Sequence, residues 1–297
     1  MNKLPLHKRT MILSMLVEGM SMRSISRTVG VSINTVTKLM IEAGEACAAY
    51  HDDAVRDVKA SKVQCDEIWS FCYAKQKNVA AAKNAPNGAG DVWTWTALDS
   101  DSKMILAYEV GDRSAATAIE FMDDLRSRLA NRVQLTTDGH KAYLEAVEGA
   151  FGADVDYGML VKLYGDQTGG KGHERKYSPS ECVGARKERI EGNPDKAAIS
   201  TSHVERHNLT MRMGMRRFTR LTNAFSKKLE NHLHMLSLYF VHYNFCRQHK
   251  SLGGVSPAMA AGVSDTLRDF EWICGLIDAR APKPNRPATY RKKENSK

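Results

Sequence analysis

The sequence predicts an α/β protein, a mixed sheet flanked by helices, with a wholly helical segment in front of it. Three observations carry this expectation. Residues 63–111 alternate apolar and polar side chains over runs bounded by turn residues, as half-buried strands do. Later strand-like runs alternate with stretches of helical period, giving the order β-β-β-α-β-α-β-α. The first 44 residues show only the helical period, interrupted at Gly19 and Gly30.

In that leading segment, Ile12, Leu13, Leu16 and Val17 share one face of a first helix that stops at Gly19. Ser21 is placed to cap a short second helix bearing Ile25 and Val29 and closed by Gly30. Ser32 is placed to cap a third, with Ile33, Val36, Leu39 and Met40 facing inward. A short helix, a glycine turn and a capped helix form the helix-turn-helix pattern, whose second helix reads the major groove. Its outward residues Asn34, Thr35, Thr37 and Lys38 suit base edges and phosphates. Lys8, Arg9, Arg23 and Arg27 add positive charge, with few acids before Glu42. Residues 1–44 are therefore expected to be a helix-turn-helix DNA-binding domain, and the Ala-rich, acidic residues 45–62 a helical linker.

The strands follow. "KVQCDEIWSFCYA" alternates, and "VWTWTALDSDSKMILAYEVG" reads as two strands joined by the turn Asp99-Ser100-Asp101-Ser102. Ile119, Met122, Leu125 and Leu129 mark a helix. "RVQLTTDGHKAYLEAVEGAF" is a short strand running through Asp138-Gly139 into a helix, and "DVDYGMLVKLYG" is a further strand. Residues 165–200 are rich in Gly, Lys and Arg without apolar period, as expected of a loop that touches DNA or of a linker. A helix through about His249 carries Leu229, Leu233, Leu236, Phe240 and Tyr243 as a core stripe. His232, His234, His242 and His249 are expected on its exterior, facing DNA or neutral, and not as zinc ligands. Ser256-Pro257 opens a last short helix, and the Pro- and Lys-rich tail is expected to be disordered.

Composition narrows the function. The formal net charge is +9, concentrated in the C-terminal half, which favours a polyanionic partner such as nucleic acid. Six cysteines occur singly, which speaks against a zinc ribbon or a disulfide scaffold. No signal-peptide pattern is visible, and no apolar run approaches the roughly 18 residues of a membrane span. A cytoplasmic, nucleoid-associated protein without membrane contact is expected.

Three carboxylates stand at telling places. Asp66 lies in the first strand, and Asp138 at the carboxyl end of the fourth, where α/β sheets build sites. Glu205 opens the helix after the last strand, as the single acid of the basic stretch "STSHVERHNLTMRMGMRRFTR". Alternation sends Asp66 and Glu67 to opposite faces, so only one of them is expected to serve a site. Three carboxylates brought together repel one another unless a cation lies between them, and oxygen donors suit Mg2+ or Mn2+. Two such ions about 4 Å apart can activate a water or a 3′-hydroxyl and stabilise the leaving oxygen of a phosphodiester.

The stretches "CDEIWSF", "TTDGHKAYLEAV", "TSHVERHNLTMRMGMRRFTRLTNAFSKK" and "YNFCRQHKSLGGVSPAMAAG" spread over residues 63–262. Together they resemble the DDE transposases of the retroviral-integrase superfamily, most nearly the bacterial insertion-sequence-one type. The resemblance implies a ribonuclease-H-like catalytic domain over 63–262 with an insertion at about 165–200, then a C-terminal helix and basic tail over 263–297. It implies Asp66, Asp138 and Glu205 as the catalytic, metal-binding triad for two Mg2+ or Mn2+ ions. It also implies a basic residue about two turns beyond the glutamate, which here is Arg212. Arg206, Arg216, Arg217 and Arg220 are then expected to neutralise phosphates. Double-stranded DNA, as mobile-element ends and target, would be the partner of a homo-oligomer. The chain departs from the family in lacking its N-terminal cysteine zinc motif and in a longer Asp138–Glu205 spacing. Two rival readings are a ribonuclease-H-like nuclease or resolvase without strand transfer, and a DNA-binding regulator with an inactive core.

Overall fold

The computed structural model describes residues 3–165, 182–219 and 223–281. Arg220, residues 166–181 of the expected insertion and the basic tail from 282 onward lie outside the described residues. Three helices lead, α1 (Leu6–Val17), α2 (Met22–Val29) and α3 (Ile33–Ala54). The sheet and its connections follow: β1 (Lys62–Cys72), a short α4 (Gln76–Val79), β2 (Gly90–Asp99), β3 (Ile105–Gly111), α5 (Ala115–Arg128), β4 (Gln134–Asp138), α6 (Ala142–Phe151), β5 (Asp156–Tyr164) and β6 (Cys182–Glu191). Then come α7 (Ser202–Gly214), α8 (Leu229–Val241), a short α9 (Pro257–Ala260) and α10 (Phe270–Arg280).

The six strands lie in the order β3-β2-β1-β4-β5-β6. β1, β2 and β3 form an antiparallel meander, while β4 pairs parallel with both β1 and β5. This is the mixed, ribonuclease-H-like arrangement. The crossover helices α5 and α6 cover one face, where Phe121 and Tyr143 pack on Trp95 of β2. The other face meets α3, α7 and α8: His51 of α3 reaches the Ile105 carbonyl of β3, and α7 lies against β1.

Where the structure differs from expectation, the reasons are physical. Residues 182–191 are a sixth strand, antiparallel to β5, and not loop. As an edge strand largely exposed on both faces, it has no apolar alternation to reveal it. The leading helices are capped as expected: Ser21 and Ser32 accept from the backbone N–H of Ser24 and Thr35, and Gly30 closes α2 at φ 68°. Yet α3 runs unbroken across the expected domain boundary at 44/45. Gly44 does not end it; a Cβ there would stand 2.4 Å from Cβ of His234 on α8, so glycine permits the two helices to touch. The core is accordingly continuous from Ile12 to Ile277, with Arg9 of α1 paired to Asp278 of α10. Ile33, expected inward, is exposed in the first turn of α3.

The helix expected through His249 ends at Val241 and opens into a wide π-type turn, His242–Cys246. That turn lets the Asn244 side chain accept from the Ile105 N–H at 2.9 Å and donate to its carbonyl at 2.8 Å. Leu236, Phe240 and Tyr243 are core, whereas Leu233 is exposed. His232 is fully buried and not exterior, and burial depresses its pKa to about 3, so it is neutral. No helix among the described residues is long and apolar enough to cross a membrane.

Candidate active site

The site arises from an interruption in strand pairing. β1 and β4 are joined only from Lys62–Gln134 to Gln64–Thr136. Beyond Gln64, β1 keeps β2 on one side; among the described residues its other edge stays open until Cys72 meets Ser226. Asp66 and Glu67 stand where this open edge begins, and Asp138 ends β4 beside it. One oxygen from each of Asp66, Glu67 and Asp138 falls within 4.8 Å of the others.

Glu67 is thus a correction to the alternation argument. The two do leave β1 on opposite faces, Asp66 toward Asn208 of α7 and Glu67 toward Tyr143 of α6, yet at the open edge one oxygen of each still lies within 4.8 Å of Asp138. Glu67 is also the most buried of the three, with its side chain 1% exposed. It accepts from Arg113 Nε at 2.6 Å and from the Tyr143 hydroxyl at 3.0 Å. Arg113 Nη2 lies 3.8 Å from Asp138, so one guanidinium serves two acids. Asp138 Oδ1 accepts from the His140 N–H at 2.9 Å, and the His140 ring stacks on Trp95.

Helix α7 is fastened to the same strand. Gln64 Oε1 accepts from the backbone N–H of His203 and Val204, at 2.8 and 3.2 Å, satisfying two first-turn donors that a helix leaves orphaned. One turn on, Asn208 Nδ2 donates to Asp66 Oδ2 at 2.9 Å. The structure brings Asp66 and Asp138 together and leaves Glu205 outside that group. Its Oε1 is held instead by Lys162 Nζ of β5 at 2.7 Å and by the Thr201 hydroxyl.

The electrostatics ask for a cation. Burial, then the charges of Glu67 and Asp138, push the Asp66 carboxyl up to about 7. Burial and Asp138 also raise Glu67, even with Arg113 beside it. Four carboxylates (Asp66, Glu67, Asp138, Glu205) against Arg113 and Lys162 leave a formal −2 when all are ionised. An all-oxygen donor set with that surplus fits a hard divalent ion.

Arg212 sits half-buried in the last turn of α7, seven residues beyond Glu205 and on the same side of the helix. Arg206 and Arg216 are exposed. Arg217, expected at phosphates, is turned inward: its guanidinium donates to Ser226 Oγ at 2.9 Å and to the Asn231 carbonyl at 3.2 Å. Burial lowers its pKa to about 10. On α3, Asn34 and Lys38 are exposed and Thr35 and Thr37 half-buried. The Thr35 hydroxyl meets Ser32 Oγ at 2.9 Å, and that of Thr37 donates to the Ile33 carbonyl. Sequence reasoning missed Glu67, Gln64, Asn208, Arg113 and Lys162. Gln64 stands two residues before Asp66 on a strand and Asn208 three after Glu205 on a helix, spacings that share a face. Arg113 and Lys162 have no local signal.

No family model and no curated protein matches the chain. The solved structures it is similar to include three complexes of the Mos1 transposase. They are a paired-end complex with left transposon end (16% identity over 50% of this chain and 58% of that one, TM-score 0.20), a mariner paired-end complex with Mn (15%, 50% and 59%, 0.21) and a pre-cleavage transpososome (13%, 53% and 60%, 0.21). The match thus covers less than two thirds of those chains. Likenesses at such TM-scores carry no weight for function, which has to be read from the side chains.

Proposed function

We propose that the chain is a DDE transposase: a metal-dependent enzyme that binds the ends of a mobile element, cuts them and joins them to target DNA. The observation that carries this reading is the convergence of Asp66, Glu67 and Asp138 at the open edge of a ribonuclease-H-like sheet, beside a helix bearing Glu205 among arginines. Asp66 and Asp138 would hold Mg2+ or Mn2+, with Glu205 completing the set on release from Lys162. A bound divalent ion supplies charge neutralisation at the scissile phosphate and acidifies the attacking water or 3′-hydroxyl.

The chain's own residues do the rest. Asn208 orients Asp66, leaving its second oxygen for coordination. Arg113 neutralises Glu67 and screens Asp138. Arg212 presents a planar fork that can grip two phosphate oxygens and set the phosphodiester against the acids. Arg206 and Arg216 meet neighbouring phosphates, and the exposed Asn34 and Lys38 of α3 meet the element's ends. A homo-oligomer would pair two ends.

The test is a single-turnover reaction of the purified protein with DNA from the ends of the element that carries its gene, in Mg2+, Mn2+ or EDTA. Metal-dependent cleavage followed by covalent joining to a second duplex is expected. Cleavage without any joined product would replace the reading with a nuclease, and specific binding without cleavage in either metal would replace it with a regulator.

A further inference from the structure

Past Glu67, β1 carries Trp69 and Phe71 on the same side of the strand. Trp93 on β2 is the cross-strand partner of Trp69. All three rings are half-buried, Trp93 packing against the margin of the core. The Trp69 and Phe71 centroids lie 5.7 Å apart, and Phe71 and Phe225 4.8 Å. At the inner end of this row Arg113, already bound to Glu67, covers the Trp93 ring at 4.9 Å. At the outer end Lys227 Nζ stands 3.9 Å over Phe225, and Lys75 Nζ 5.7 Å from the Trp69 ring. Phe71, Phe225, Tyr73, Lys75 and Lys77 line an open cleft of about 470 Å³, the size range of small-ligand sites.

Phe225 is held there by a buried network. Tyr73 N–H donates to the Ser226 carbonyl at 2.7 Å, and Ser226 Oγ meets both Arg217 and His232 Nδ1, the latter at 3.0 Å. The segment is thereby fastened to the last residues of β1, at the far end of the edge where the acids sit. Asp91, the cross-strand neighbour of Phe71, accepts from the Gln76 N–H at 3.0 Å.

We propose that this row of rings and lysines holds unpaired nucleotides of a DNA single strand running from the acidic centre. The inference rests on the function proposed above and adds a binding surface to it. Half-exposed rings flanked by cations match a strand whose bases stack and whose phosphates are neutralised, whatever the sequence. A paired base hides its faces within the duplex, so the row discriminates for unpaired bases. From Glu67 to Phe71 the strand advances about 13 Å, room for roughly four nucleotides at a 3.4 Å repeat. An acidic peptide would satisfy the lysines and leave the ring faces unused.

The experiment measures binding in EDTA, so that nothing is cut, of a thymidine strand of about 12 nucleotides, an abasic strand of equal length and a duplex of equal length. A strand containing 2-aminopurine reports stacking by quenching of its fluorescence. The wild type should bind thymidine about tenfold more tightly than abasic strand, and Phe71→Leu with Phe225→Leu should remove that advantage and the quenching, leaving duplex affinity unchanged. Lys75→Ala with Lys227→Ala touches only exposed charge; it should lower the salt slope for single strand by about two. Equal affinity for thymidine and abasic strands overturns the proposal, as does unchanged quenching in a double-leucine variant that unfolds at the wild-type temperature. If that variant fails to fold, an unchanged salt slope in the lysine variant overturns it. Duplex binding without single-strand binding removes the row alone, whereas failure to bind either removes the transposase reading as well.

Discussion

Caps and turns only a few residues apart shape the three leading helices, whereas the acidic centre gathers side chains from β1, β4, β5, α6, α7 and the turn before α5. The difference governs how each region responds to change. A lost cap costs about 1 kcal/mol and stays local. In the acidic centre every carboxylate shares a partner or a field with another, so one substitution disturbs several groups.

The largest expected effect belongs to the centre. Asp66→Asn or Asp138→Asn keeps side-chain size but removes an anionic ligand, and should reduce cleavage at least roughly a thousandfold, the several kcal/mol that such an ion supplies. Binding to end DNA, measured by fluorescence anisotropy, should stay within a few-fold of wild type. Equal activity in either variant would detach that residue from the chemistry. Glu205→Gln sharpens the matter further. If its pairing with Lys162 is its whole role, the variant loses stability without losing turnover; loss of turnover with an unchanged melting temperature makes Glu205 a ligand.

Gly44 tests whether the two regions are separate at all. Gly44→Leu would drive a side chain into the α8 backbone at His234, so it should destabilise the protein by about 3 kcal/mol or more. Because α3 is one helix packed on α8 and within one continuous core, unfolding should remain a single transition by calorimetry. Two transitions, with only the earlier one displaced, would mark the leading helices as an independent domain.

The pH dependence of stability is a subtler effect. Asp66 titrates at about 7 in the folded chain against 3.8 ordinarily. The folded state therefore keeps the proton over that window: the contribution is complete below about pH 4 and is lost as pH rises through about 7. The metal-free protein should melt a few degrees lower at pH 7.5 than at pH 5 on this account, and Asp66→Asn should flatten the difference. Mg2+ or Mn2+ should also flatten it by binding the ionised cluster. A slope identical in wild type, variant and metal-loaded protein would show that Asp66 is not the titrating group.

The same contrast between local and distant construction decides what could be read beforehand. Ser21, Gly30 and Ser32 announce themselves by their neighbours, and the succession of strands and helices along the chain from β1 to β5 follows from periods of two and 3.6. Asp66 and Asp138 were legible from their places on strands. Glu67 was set aside because alternation sends it to the face opposite Asp66; it does, but at the edge β4 leaves open side chains from both faces still reach Asp138. Lys162 and Arg113 reach the acids from elements far off in sequence, and Arg217, one of many arginines in a basic run, gives no sign that its guanidinium is buried. β6 escaped because an exposed edge strand has no apolar face to repeat. The boundary expected at 44/45 falls inside α3 because the partner helix α8, against which Gly44 packs, lies far down the chain.

Lys38→Ala should have the smallest effect. Lys38 Nζ lies 3.7 Å from Glu42, a surface pair between two exposed side chains, so its removal should change stability by less than about 0.5 kcal/mol. Near the N-terminus of α3, however, an exposed ammonium can displace one counterion from a phosphate. The variant should therefore bind end DNA a few-fold more weakly and lower the slope of log affinity against log salt by about one, equally for cognate and unrelated duplex. Asn34→Ala, one turn earlier and also exposed, should behave in the opposite way: an unchanged salt slope, with preference for cognate ends reduced by the roughly 1–3 kcal/mol of a lost base contact. Running both variants at several salt concentrations separates a phosphate contact from a base contact on the same helix. If neither changes slope or preference, the outer face of α3 does not meet DNA, and recognition of the ends has to come from the arginines around α7.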